Sequence, residues 1–124
     1  MLDLDEFKAV NDRDGHEAGD RLLVTVAEAL RGRVRETDTL ARLGGDEFAV
    51  ILHQADSSSL RRVADDLIEA VNAACPDGAS AAAHISVGGA PFTADSTASQ
   101  LLAQADRAMY QAKRRGGHQA VIEH

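Results

Sequence analysis

The sequence predicts an α+β domain built on a mixed sheet with flanking helices, and three observations carry that expectation. Two short apolar runs, Thr39 to Leu43 and Glu47 to Leu52, flank Gly44-Gly45-Asp46. Such a pattern signals a hairpin, because glycine supplies positive φ without a steric cost. Longer stretches carry apolar residues at helical spacing, and short strand-like runs stand between them. A hairpin mixed with helices indicates α+β rather than a regular βαβ alternation.

Taken in order, Met1 to Leu4 reads as the tail of a strand, with Leu2 and Leu4 on one face and Asp3 and Asp5 on the other. A short helical stretch follows from Glu6 to Asp12. The polar loop Arg13 to Ala18, in which His16 reads as structural, leads into a longer helix carrying Leu22, Leu23, Val26, Ala27 and Leu30. After the hairpin, Ser58 to Ala74 is predicted helical, capped by its own serines, with Leu60, Val63, Ala64, Leu67 and Val71 on one side. Ala82 to Phe92 is expected to hold a strand at Ile85-Ser86-Val87. Ser96 to Arg115 is expected to be a helix with Leu101, Leu102, Ala105, Met109 and Ala112 facing the core. Gly116-Gly117 would end it, and Ala120 to Ile122 would form the last strand.

With 124 residues the chain suits one domain. An apolar fraction of 44% is enough for one core, and aromatics at 3% leave its filling to Leu, Val, Ile and Ala. No apolar run approaches the roughly 18 residues of a membrane helix. A lone cysteine, Cys75, fits a reducing cytoplasm. The net charge of −7 argues against a nucleic-acid groove, which carries basic stripes. A polyanionic substrate would therefore need metal ions or a local basic cluster.

Two segments carry the chemistry. Asp3-Leu4-Asp5 ends a strand, and Asp46-Glu47 sits on the hairpin. Were those strands neighbours, opposed Cβ atoms would stand about 4.5–5.5 Å apart, and the carboxylates would repel without a cation or proton between them. Oxygen ligands without His or Cys favour magnesium. Taken singly, each segment suits a turn; together they point to a site. An EF-hand reading of Asp12, Asp14 and Gly15 fails, because it puts Val10 first and Arg21 twelfth, where carboxylates are needed.

Gly44-Gly45-Asp46-Glu47-Phe48, within Ala41-Arg42-Leu43-Gly44-Gly45-Asp46-Glu47-Phe48, resembles the signature of the GGDEF family, the diguanylate cyclase domains. Three further motifs agree in order and spacing. They are Leu2-Asp3-Leu4-Asp5-Glu6-Phe7-Lys8-Ala9-Val10-Asn11-Asp12, Gly15-His16-Glu17-Ala18-Gly19-Asp20, and Ala105-Asp106-Arg107-Ala108-Met109-Tyr110-Gln111-Ala112-Lys113. The likeness runs from Met1 to about Ile122.

The resemblance implies a polymerase-palm, nucleotidyl-cyclase-like fold, an α/β sandwich. It implies condensation of two GTP into cyclic di-GMP with release of pyrophosphate, in the cytoplasm, by a homodimer, with no nucleic-acid partner. Asp3, Asp46 and the Leu4 carbonyl would hold Mg2+ (or Mn2+), two per active site, and Glu47 would act as general base or further ligand. The amides near Phe7 and Lys8, together with Lys113 and the Gly44-Gly45 turn, would hold the triphosphate, as helix N-termini attract anions. Asn11 and Asp20 would read guanine, whose pairing edge offers two donors and one acceptor; Asp20 would also cap its helix. Arg35-Glu36-Thr37-Asp38, with five residues between Asp38 and Gly44, resembles the family's RxxD inhibitory site, where Arg35 and Asp38 would bind cyclic di-GMP.

Two departures from the family pattern bear on activity. The family's N-terminal turn, first helix and start of the first strand have no counterpart in residues 1–124, so apolar surface would be exposed, with weak stability and reduced turnover expected. Four residues after Lys113 the family usually has a phosphate-contacting arginine; here Gly117 stands there. The rival reading is a receptor module that binds cyclic di-GMP or GTP without turnover.

Overall fold

A computed structural model describes residues 1–76 and 83–123. Ala82, where the fourth-strand stretch was expected to begin, lies outside them. The elements are β1 (Leu2–Leu4), α1 (Phe7–Asp14), α2 (His16–Arg31), β2 (Thr39–Gly44), β3 (Glu47–Ile51), α3 (Ser57–Ala74), β4 (Ile85–Gly89), α4 (Ala98–Arg114) and β5 (Ala120–Ile122).

The sheet order is β2-β3-β1-β4-β5. β1 lies in the middle, antiparallel to β3 and β4, while β4 and β5 run parallel. The first four strands therefore make the split βαββαβ arrangement of ferredoxin-like and palm domains, extended by α4 and β5. The expected α+β class with a mixed sheet holds.

Strand pleating sorts the side chains. Leu2 pairs with Phe48 and Val87, and Leu4 with Ile85. All five are buried on the face that meets Leu22, Leu23, Val26, Leu30, Leu67 and Val71 of α2 and α3. Burial at that scale stabilises by about 25 cal/mol per Å² of apolar surface and supplies most of the fold's driving force. The opposite face takes α4. Gly88 makes that possible, since a Cβ there would stand 2.1 Å from both the Ala105 carbonyl oxygen and the Met109 nitrogen.

Several local details differ from expectation. α1 runs on to Asp14, and Gly15 (φ +90°) makes the break to α2, so the expected polar loop is mostly helix and His16 is its first residue. Asp20 sits inside α2, whose N-cap is Gly15, so it does not cap that helix start. The cap of α3 is Asp56, whose side chain accepts from the Ser59 amide, rather than a serine. α4 opens with a capping box between Thr97 and Gln100, and Leu102 is 52% exposed instead of packed. That position falls on the solvent side because α4 rests on β4 through Ala105, Ala108, Met109 and Ala112.

Candidate functional site

The sheet brings the predicted acidic segments together. Asp3 lies opposite Glu47 on β3 and Ser86 on β4, so their side chains share the face that α4 partly covers. The Leu4 amide donates to the Asp46 carbonyl at 3.2 Å, which ties the hairpin turn to the end of β1. Gly44 (φ +146°) and Gly45 (φ +51°) make the turn, and Arg42 Nε donates to the Gly45 carbonyl at 2.9 Å. A register shift between Arg42 and Gly44 accompanies it. Bulges of this kind re-aim neighbouring side chains.

From the other side comes α4. Lys113 Nζ stands 3.0 Å from Asp3 Oδ1, and 3.5 Å from both Asp5 Oδ1 and the Leu4 carbonyl oxygen. The ammonium meets Asp3 Oδ1 as an ion pair outside hydrogen-bond geometry, so that buried oxygen accepts no hydrogen bond among the described residues. Burial pushes the Asp3 carboxyl up to about 6; Lys113 opposes the shift and Asp46 adds to it. Burial works to lower the Lys113 ammonium, but Asp3, Asp5 and Asp46 together carry it above its ordinary value. The carboxylates are short of positive charge even with the lysine in place.

A divalent cation fits that imbalance. Among the described residues no three carboxylate, imidazole or thiol groups already form a cage. An open pair, Asp3 beside Asp46 with Glu47 adjacent, is nonetheless the form magnesium favours, since it binds one or two carboxylates and keeps positions for water and phosphate.

Around this centre stand the other predicted residues. Glu6 enters α1 in the left-handed region (φ 57°), and among the described residues no side chain caps that helix start at Phe7 and Lys8. Asn11 Oδ1 is buried without a hydrogen-bond partner there, against Gly19 of α2. A Cβ on Gly19 would fall 1.8 Å from that oxygen. Asp20 follows Gly19 in α2 and is exposed.

Arg35 and Asp38 meet apart from this centre, before β2. Arg35 Nε is 3.2 Å from Asp38 Oδ2, and the Arg35 and His53 amides donate to the same carboxylate at 3.0 and 3.1 Å. Arg35 Nη2 donates to the His53 carbonyl at 2.6 Å. The Asp38 side chain is only 3% exposed, and Arg35, with the backbone amides, holds its carboxyl below the ordinary range.

Sequence reading overlooked Ser86, Gly19, Gly88 and the partners of Asp5. A glycine inside a helical pattern was the available signal for Gly19; nothing local marked Ser86. A cavity of about 310 Å³ between α3, α4 and β5 is lined by Arg61, Gln111, Arg115 and Glu123. It holds none of the candidate residues, and the carboxylate site is instead an open end of the sheet.

A palm-like α+β domain carrying paired carboxylates and a lysine at the end of its central strand is the class that fold and site define. The family model described as "Diguanylate cyclase, GGDEF domain" matches residues 1–119. The chain belongs to that family. It is 46% identical over 119 residues to the diguanylate cyclase TpbB of Pseudomonas aeruginosa, covering 92% of this chain and 27% of TpbB. It is 36% identical over 125 residues to the diguanylate cyclase DosC of Escherichia coli K12, covering 98% of this chain and 27% of DosC. The chain thus spans about a quarter of these curated relatives. Among solved structures, the GGDEF domain of TpbB superposes with a TM-score of 0.89 at 39% identity, over 99% of this chain and 79% of that one. The GGDEF domain of DgcB from Caulobacter crescentus, in complex with c-di-GMP, superposes with a TM-score of 0.90 at 27% identity, over 98% and 74%.

Proposed function

We propose that this domain condenses two GTP into cyclic di-GMP with release of pyrophosphate, acting as a two-fold pair of copies. The observation that carries the reading is the meeting of Asp3, Asp46 and Glu47 with Lys113 at the open end of β1. The family membership and the relatives' printed activity support it.

In each step the 3′-hydroxyl oxygen of one GTP bonds to the α-phosphorus of the other, and the bond to the β-phosphate breaks. The hydroxyl proton passes to Glu47, which lies across from Asp3. Two Mg2+ or Mn2+ ions, held by Asp3, Asp46, the Leu4 carbonyl and Glu47, would lower the hydroxyl's pKa and neutralise charge on the leaving oxygens. Lys113 and the uncapped amides of α1 grip the triphosphate. Asn11 and Asp20 select guanine, because an ionised carboxylate accepts from both guanine donors and adenine cannot supply that pair. A half-site open to solvent suits closure by a second copy, and a C2 pair sets two bound nucleotides face to face.

Arg35 and Asp38 are proposed as the inhibitory site for cyclic di-GMP. Arg35 is exposed and able to bond a phosphate in a fork, although Asp38 is already committed to backbone amides. Gly117, which brings no cation to the triphosphate, favours a second reading as a receptor module without turnover.

Incubation with GTP and Mg2+ or Mn2+, following pyrophosphate and cyclic dinucleotide beside an Asp46→Ala control, separates the two. Product lost in the control supports the cyclase; product that survives it removes Asp46 from the mechanism. No product, with saturable cyclic di-GMP binding lost on Arg35→Ala, selects the receptor.

A further inference from the structure

Asp3 lies in β1 and Asp5 just past its end, yet their surroundings differ. Asp5 Oδ1 accepts the Ser86 hydroxyl at 2.6 Å, and Oδ2 accepts the His118 amide at 2.8 Å. Gly117 makes the second bond possible: its φ is +74°, and a Cβ there would stand 2.7 Å from Asp5 Oδ2. Asp5 therefore pins the end of β1 to β4 and to the turn between α4 and β5. With both oxygens committed, it is poorly disposed to ligate a cation. Asp3 Oδ1, by contrast, faces the Lys113 ammonium at 3.0 Å and, among the described residues, accepts no hydrogen bond of good geometry.

Lys113 is shared between the two, at 3.0 Å from Asp3 and 3.5 Å from Asp5. A divalent cation arriving at Asp3 would compete for the oxygen the ammonium now faces and would repel the ammonium. Asp5 is the carboxylate left to hold it, and the one whose position is locked by two other bonds. A lysine side chain loses rotamer freedom when it is fixed in place, so an anchor that limits its swing beforehand favours phosphate binding. The glycine turn at 116–117 brings no cation of its own, which leaves the grip from this side to Lys113.

We propose that Asp5 is a positioning residue that keeps Lys113 aimed at the nucleotide triphosphate once Asp3 is engaged by a cation. The assignment rests on the reading of this site as a GTP site.

The test is titration of the chain with a fluorescent non-hydrolysable GTP analogue and Mg2+, beside thermal melts. Asp5→Asn keeps an acceptor for His118 and a partner for Ser86 but removes the charge that holds Lys113. Its melting temperature should stay close to the parent's while Kd for the analogue rises about ten-fold. Lys113→Ala should weaken binding as well, and adding Asp5→Asn to it should cost nothing more, as expected when one residue acts through the other. A purely structural Asp5 would instead lower the melting temperature and leave Kd unchanged. Unchanged or tighter binding in Asp5→Asn, or additive losses in the double variant, would overturn the assignment. Should Asp5→Asn not fold, Lys113→Ala alone decides: unchanged affinity for the analogue there overturns the assignment equally. If the unsubstituted chain binds no analogue, the proposed function itself fails, a result distinct from the others.

Discussion

Lys113 Nζ lies 3.0 Å from Asp3 Oδ1, so the last helix of the domain supplies the counter-charge for a carboxylate on its first strand. The pair is only partly neutralised, since Asp46 adds a second negative charge beside it. This balance ties stability to pH and to metal.

In the metal-free chain the carboxylate form of Asp3 works against folding, because burial raises its pKa to about 6 from an ordinary 3.8. A folded state that holds the proton more tightly is penalised fully above about pH 6, and the penalty fades as pH falls toward 3.8. Asp3→Asn should therefore raise the melting temperature at pH 7–8 by on the order of 5 °C, with the difference vanishing near pH 4. Mg2+ should stabilise the parent at pH 7 and leave Asp3→Asn unmoved. Melts with chelator or Mg2+ across that range check both signs; equal curves for the two proteins would contradict the expectation.

Gly88→Ala probes the seat of α4. The added methyl would meet two backbone atoms of α4 at 2.1 Å, and backbone cannot swing aside as a side-chain tip can. Overpacking usually costs about 1–3 kcal/mol, and here about 3 kcal/mol or more is expected. Denaturant unfolding measures it. A cost below about 1 kcal/mol would mean that α4 is not seated so closely.

Gly19→Ala separates stability from recognition. Alanine improves helix propensity by about 0.5–1 kcal/mol, yet its methyl would force the Asn11 amide aside. The fold should be retained while GTP affinity falls about ten-fold and the preference for GTP over ATP narrows. Competition binding with both nucleotides reads this, and an unchanged preference would remove Asn11 from guanine selection.

Arg35 and Asp38 should respond differently to truncation. Arg35→Ala leaves the Asp38 carboxylate its two amide donors, so the fold should survive while inhibition by cyclic di-GMP is lost. Asp38→Ala strands the Arg35 and His53 amides and should also lower the melting temperature. Initial rates with added cyclic di-GMP, alongside melts, distinguish them; inhibition that persists in Arg35→Ala would place the inhibitory site elsewhere.

Much of this was legible in the chain itself, because the signals are local. The Gly44-Gly45 hairpin, the apolar periodicity of α2, α3 and α4, and the alternation of Leu2 and Leu4 with Asp3 and Asp5 follow from φ preferences and from periods of 3.6 and 2. Where neighbouring signals competed, local reading slipped: Asp56 caps α3 ahead of three serines, and Leu102 faces solvent although it fits the apolar pattern.

By itself the sequence determined the residue types and the spacing that put two acidic segments on strands, and with them the family. Only the tertiary structure decided that β1 lies between β3 and β4, which brings Asp3 to Asp46 and Glu47. It also decided that Asp5 is spent on Ser86 and His118 while Asp3 Oδ1 faces the Lys113 ammonium. The physical reason is range: propensity and periodicity act over a few residues, whereas burial and charge pairing depend on which strands and helices meet.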